Sequence, residues 1–254
     1  MNTTVLKKIP EVAAAFWIMK ICATTLGETA GDLLSMTMDV GYATSTVILM
    51  GFFLVTVVLQ IASKRYHPAL YWAVILSTST AGTTMSDYMD RTLELGYATG
   101  AAMLVTLLVL VLAVWRASEK TLAVDRVATR RGELFYWSAI LVSNTLGTAL
   151  GDFLADDSGL GFTGGVLLIG GLLAVVLVLT YFTRTSRVLL FWVAFVLTRP
   201  FGAEMGDVLT KPGAKGGLGF GTIGSSAVLA VVLVILVLRE IAAERGRRAV
   251  AEPV

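Results

Sequence analysis

Four aspartates, Asp32, Asp87, Asp152 and Asp207, recur in register within segments otherwise almost free of charge, and Glu28 and Glu204 lie one turn before the first and last of them. Six carboxylates, with the polar side chains of Thr25, Thr80 and Asn144 beside them, make a set of hard oxygen donors. Without a thiolate or imidazole among them, such donors select Ca2+, Mg2+, Mn2+, Na+ or H+ over Zn2+ or Cu+. Met85 and Met205, each two residues before an aspartate, add a softness that favours manganese. Two bases, Lys20 and Arg199, lie deeper in the first and last of these segments, as salt-bridge partners of the acids or as groups that act on the cargo. Against six acids they leave a formal deficit that a bound cation or protons would offset.

The register comes from an internal repeat. A tryptophan precedes each aspartate by fifteen residues (Trp17, Trp72, Trp137, Trp192), and a glycine follows each tryptophan by ten (Gly27, Gly82, Gly147, Gly202). The offset between copies is 55 residues within each half of the chain and 65 across the middle, which points to a duplication of a duplication. The segments divide as repeat 1 (1–65), repeat 2 (66–116), a cytoplasmic linker (117–132), repeat 3 (133–186), repeat 4 (187–240) and a basic cytoplasmic tail (241–254).

Composition sets the class. With 254 residues, 56% of them hydrophobic and 15% charged, and a mean hydropathy of +0.79, the chain is too apolar for a soluble surface and reads as a polytopic membrane protein. The apolar run from Val12 lacks a small-residue cleavage site and leads straight into the first repeat, so no cleavable signal is expected. The single Cys22 and the single His67 exclude disulfides, thiolate zinc sites and Cys/His nucleophile pairs within one chain. No nucleophile and base stand at a motif spacing, so an enzyme is not expected.

Two spans per repeat give eight candidate transmembrane helices, about 11–35, 41–62, 69–89, 96–115, 133–154, 160–182, 188–209 and 218–238. Fifteen basic residues, from Lys7 and Lys8 to Arg247 and Arg248, then fall on one face, and Arg91, Lys211 and Lys215 on the other. The excess of basic residues places both termini in the cytoplasm. The repeats are parallel, and their two helices differ. The second ones, such as Val47 to Leu59 and Val166 to Thr180, are apolar and suit lipid; the first ones hold the polar groups and must face protein or water. An all-α membrane protein with four polar helices inside four apolar ones is the expected fold.

Glycines and small residues at spacings of four let the inner helices approach closely, and glycine or Pro200 permits a helix break that would free carbonyl ligands. Each second helix opens on a glycine and an aromatic residue (Gly41-Tyr42, Gly96-Tyr97, Gly161-Phe162, Gly219-Phe220), with neighbouring hydroxyls suited to capping or to local hydrogen bonds. The four tryptophans read as packing and interfacial-belt residues, and Asp39, Asp90, Glu94, Asp156 and Asp157 as solvated loop charges.

The Trp-x(9)-Gly-x(4)-Asp pattern, present in all four copies, resembles a family of uncharacterised bacterial multipass membrane-anchored repeat proteins; the resemblance implies a topology and no activity. Glu204-Met205-Gly206-Asp207 is similar to the Glu-x-Gly-Asp signature of Ca2+ and Mn2+ cation/proton exchangers, which implies Glu204 and Asp207 as cation ligands, although Val208 and Leu209 stand where that family has a basic residue and a hydroxyl. The expected function is proton-coupled transport of a cation, foremost Mn2+, at a central carboxylate site. A pseudo-fourfold cation channel and a non-transport assembly protein are the alternatives. Expected partners are the lipid bilayer and a metal ion or proton, with a homodimer left open and no nucleic acid; no resident cofactor is expected.

Overall fold

A computed structural model describes residues 9–127 and 129–251. Lys7 and Lys8, counted above with the basic face, lie outside the described residues. Eight long α-helices carry the described chain, with no strand among them: α1 (Ala14–Asp32), α2 (Tyr42–Ala62), α3 (Pro68–Asp87), α4 (Tyr97–Glu119), α5 (Arg130–Asp152), α6 (Gly161–Phe182), α7 (Arg187–Thr210) and α8 (Gly221–Ala251). Five of them, α2, α4, α6, α7 and α8, are long and apolar enough to cross a membrane. The other three owe their lower hydropathy to the Thr, Ser, Asn, Asp and Glu side chains that they bury against one another.

The inner ring closes. Helix α1 packs on α3, α3 on α5, α5 on α7 and α7 back on α1. Each apolar helix then lies on the inner helix of the following repeat: α2 on α3, α4 on α5, α6 on α7, α8 on α1. Four parallel repeats therefore surround one axis, and each lends its outer helix to its neighbour.

Glycine makes the ring tight. A Cβ built on Gly27 would lie 2.3 Å from Ser79 Cβ, on Gly147 2.3 Å from Arg199 Cγ, and on Gly202 2.3 Å from Thr24 Oγ1; on Gly82 it would lie 3.0 Å from the Asn144 backbone. In all four crossings the glycine of one repeat meets the residue three before the glycine of the next. Only a missing side chain lets the helices touch there.

At the opposite end from the aspartates the repeated aromatics close the axis. Phe16 meets Trp72, Tyr71 meets Trp137, Tyr136 meets Trp192 and Phe191 meets Trp17, with ring centroids 5.6–6.4 Å apart. The Tyr71 and Tyr136 hydroxyls share a hydrogen bond of 2.8 Å, Trp72 Nε1 donates to Glu240, and Trp192 Nε1 donates to the Leu122 carbonyl. The tryptophans thus pack inside the bundle, and no lipid-facing belt forms from Trp72, Trp137 or Trp192, all buried.

Two local expectations are corrected. Helix α7 runs unbroken through Pro200, whose Cδ fills the space left by the absent Gly147 side chain, so no break exposes carbonyls there. The hydroxyls after Gly41 and Gly96 cap nothing: these glycines themselves stand at the N-caps with φ of +79° and +72°, a conformation L side chains avoid. After Asp32, Asp87 and Asp152 the helix widens into a π-helical turn (Leu33–Thr37, Tyr88–Thr92, Phe153–Asp157), whereas α7 continues past Asp207 and stops at Lys211.

Candidate cation site at the repeat axis

The four aspartates lie at one end of the inner ring, each buried. They are joined in two pairs by bases just beyond the α-helical ends of α3 and α7. Lys211 Nζ lies 2.8 Å from Asp32 Oδ2 and 3.1 Å from Asp207 Oδ1. Arg91 lies 3.0 Å from Asp87 Oδ1 and 3.4 Å from Asp152 Oδ2. Both bases stand four residues after their own aspartate, and each reaches the aspartate of the next repeat. Repeats 1 and 3 carry Met36 and Asp156 at that position, so the fourfold ring has twofold charge.

Glu28 lies one layer further in. A ligand oxygen from each of Glu28, Asp32 and Asp207 falls within 4.8 Å of the others, close enough for one metal ion to touch all three. Glu28 Oε2 also pairs with Arg199 Nη2 at 3.0 Å. The same Nη2 donates to the Thr83 and Thr148 hydroxyls, the latter at 2.7 Å, and these hydroxyls lie 3.2 and 3.5 Å from Glu28 Oε2. Arg199, fully buried, therefore fills the axis beneath the carboxylates.

Below Arg199 the axis turns apolar. Lys20 shares its layer with Ile75, Ile140 and Phe195, none of them exposed; its ammonium donates to Asn144 Oδ1 at 3.4 Å and lies 4.1 Å over the Phe195 ring. Asn144 in turn donates to Thr78 and Ser79, which ties α5 to α3.

Among the expected site residues, then, Asp32, Asp207 and Glu28 come together, Asp87 and Asp152 form a second pair, and Lys20, Arg199 and Asn144 line the axis below. Thr25 and Thr80 do not reach the acids: each hydroxyl donates to a carbonyl of its own helix, Ile21 and Leu76 respectively. The hydroxyls that do reach them belong to Thr83 and Thr148. Glu204 also stands apart. It is two residues after its repeat glycine where Glu28 is one after, and one residue turns a helix by about 100°. Its carboxylate faces away from the axis toward Gly165 of α6, where a built Cβ would lie 2.5 Å from Oε1, and neither oxygen has a hydrogen-bond partner among the described residues. Asp90, expected in solvent, is buried against Gly100 and accepts from Ser86 at 3.3 Å. Asp39, Glu94, Asp156 and Asp157 are exposed.

Sequence reasoning missed Arg91 and Lys211, taking them for outer-face charges. The signal was present: a base four residues after an aspartate, in the second and fourth copies only. With them, the six acids are matched by four bases in number, Glu204 lying apart from the other five, and the formal excess of negative charge falls to two. A separate cavity of about 820 Å³, between α1, α6, α7 and the 120–129 connection, is lined by groups such as Trp17, Leu173 and Phe191 and touches none of these acids.

Fold and site together define a helical membrane protein of four repeats wound around a charged axis. The chain belongs to the family described as Repeat of Unknown Function (DUF347), which matches residues 15–66, 70–121, 135–186 and 190–245. No curated protein and no solved structure matches it.

Proposed function

We propose that the protein carries a cation, foremost a divalent metal such as Mn2+, across the bilayer through the site formed by Glu28, Asp32 and Asp207. The observation that carries this reading is the approach of three buried carboxylates from α1 and α7 to within 4.8 Å in a membrane protein, where uncompensated charge is costly. All three offer oxygen, the donor that hard divalent ions prefer. In this reading all eight helices cross the membrane, the polar ones inside, with both termini in the cytoplasm of a bacterial inner membrane; the distribution of basic residues supports that orientation.

A carrier is favoured over a channel because the axis is filled. Arg199 and the layer of Lys20, Ile75, Ile140 and Phe195 stand beneath the carboxylates, and the aromatic rings close the end beyond. Access to the site is from the aspartate end, where Lys211 is 24% exposed. Glu204, buried without a hydrogen-bond partner among the described residues, is where the coupled proton binds: a proton is the one partner it can recruit without moving a helix.

Flux in proteoliposomes tests this. Saturable Mn2+ uptake that follows a pH gradient is expected for the wild type, with a loss of about tenfold or more in Asp32→Asn and Asp207→Asn. Glu204→Gln retains Mn2+ binding and loses the response to the pH gradient. Unsaturating flux would favour the channel, and no flux of Mn2+, Ca2+, Mg2+ or Na+ would favour an assembly protein.

A further inference from the structure

We infer that Lys211 is a tethered competitor for the cargo: its ammonium occupies the gap between Asp32 and Asp207, and a divalent cation enters only as this side chain rotates away. The inference rests on the cation site proposed above and assigns that site its gate.

Four observations carry it. The ammonium lies 2.8 and 3.1 Å from the two carboxylates, so a positive charge already occupies the gap. It does not exhaust the donors there, since Asp32 Oδ1 is buried with no hydrogen-bond partner among the described residues. The Lys211 side chain is more exposed than the carboxylates it bridges, 24% against 3% and 7%, so it has somewhere to go. Its backbone does not: the Lys211 N–H donates to the Asp207 carbonyl at 2.8 Å, its carbonyl accepts from Gly219 at 2.9 Å, and a Cβ on Gly217 would lie 2.0 Å from that carbonyl oxygen. Movement is therefore confined to the flexible stem of the side chain, on which lysine carries a compact point charge.

Arg91 plays no such part at the second pair. Its planar guanidinium bridges Asp87 and Asp152 and also lies 5.8 Å from the Tyr97 ring centroid, a stacked contact that Lys211 does not make. At 32% the Arg91 side chain is the more exposed of the two bases, so the contrast lies in its partners: held on Asp87, Asp152 and Tyr97 together, Arg91 locks repeats 2 and 3, and Lys211 yields. The exchange also favours charge: at the same distance a divalent ion among three carboxylates has about twice the Coulomb attraction of the ammonium it displaces and Na+ about the same, so only the divalent ion gains attraction to set against its larger hydration cost. The class of substrate is then a divalent cation.

The test uses the full chain in detergent with Mn2+ alone and Na+ alone as probes. In the wild type, acylation of Lys211 by a water-soluble amine reagent, read by mass spectrometry, is expected to accelerate several-fold with Mn2+ and not with Na+ at matched ionic strength. Removing the competitor by Lys211→Gln is expected to tighten Mn2+ binding by about tenfold, as for a site whose competent state is about one part in ten, while Arg91→Gln does not tighten it. If the wild type and Lys211→Gln bind Mn2+ equally and the labelling rate is unmoved, the gate is refuted and the cation site stands. If neither protein binds Mn2+, both fall. Should Lys211→Gln not fold, the labelling rate of the wild type decides alone.

Discussion

Single positions decide which acid does what. Glu28 and Glu204 look alike in sequence, yet an offset of one residue from the repeat glycine sends Glu28 to the axis and Glu204 to α6. Counting from the aspartates hid this; counting from the glycines would have revealed it. The Glu28–Arg199 pair is fully buried, so removing one partner strands the other, at a cost of about 3–5 kcal/mol. Glu28→Gln alone and Arg199→Met alone are both expected to lower the melting temperature in detergent, and the double variant to recover most of the loss; equal damage in the double would show that the pair is not coupled. The crossing glycines make a second prediction. Gly147→Ala forces a methyl group onto Arg199 and Pro200 and is expected to cost about 1–3 kcal/mol, while Gly171→Ala, with open space around it, is expected to be neutral or stabilising by up to about 1 kcal/mol. Thermal unfolding of the two variants side by side checks the contrast.

At the scale of elements, the eight helices followed from hydropathy and turn residues, although α8 runs on to Ala251 through residues expected as a tail, and the division into polar inner and apolar outer helices followed from where the charges fall. Three features did not. The continuity of α7 through Pro200 depends on Gly147 of another helix, which local sequence cannot report. The π-helical turns after the first three aspartates have no counterpart in repeat 4, where α7 runs on to Thr210 and the backbone of Lys211 is held by hydrogen bonds to Asp207 and Gly219. The aromatic residue before each tryptophan (Phe16, Tyr71, Tyr136, Phe191) is as periodic as the tryptophan itself, but its meaning appears only when neighbouring helices interleave the two sets. That end of the bundle holds a buried hydrogen bond between two of these aromatics. Tyr71→Phe is expected to cost about 1 kcal/mol by orphaning the Tyr136 hydroxyl, and Tyr71→Phe with Tyr136→Phe to cost less than either single change; thermal unfolding of the three variants measures it.

For the whole molecule, the repeat spacing of 55 and 65 residues already announced two levels of duplication, and the charges realise the second level: a base four residues after the aspartate only in repeats 2 and 4, each bridging to the repeat that follows. A ring of four equal aspartates would suit a symmetric pore. Two unequal pairs, one locked by a stacked arginine and one held by a lysine beside a third carboxylate, suit an off-centre binding site with a closed axis beneath it. The most direct test is the anomalous scattering of Mn2+ in crystals of the full chain. The account predicts one strong peak within coordination distance of Glu28, Asp32 and Asp207, with the Lys211 ammonium withdrawn from between the aspartates. Crystals saturated with Mn2+ that show no peak at these carboxylates, and Lys211 still seated between them, would contradict it.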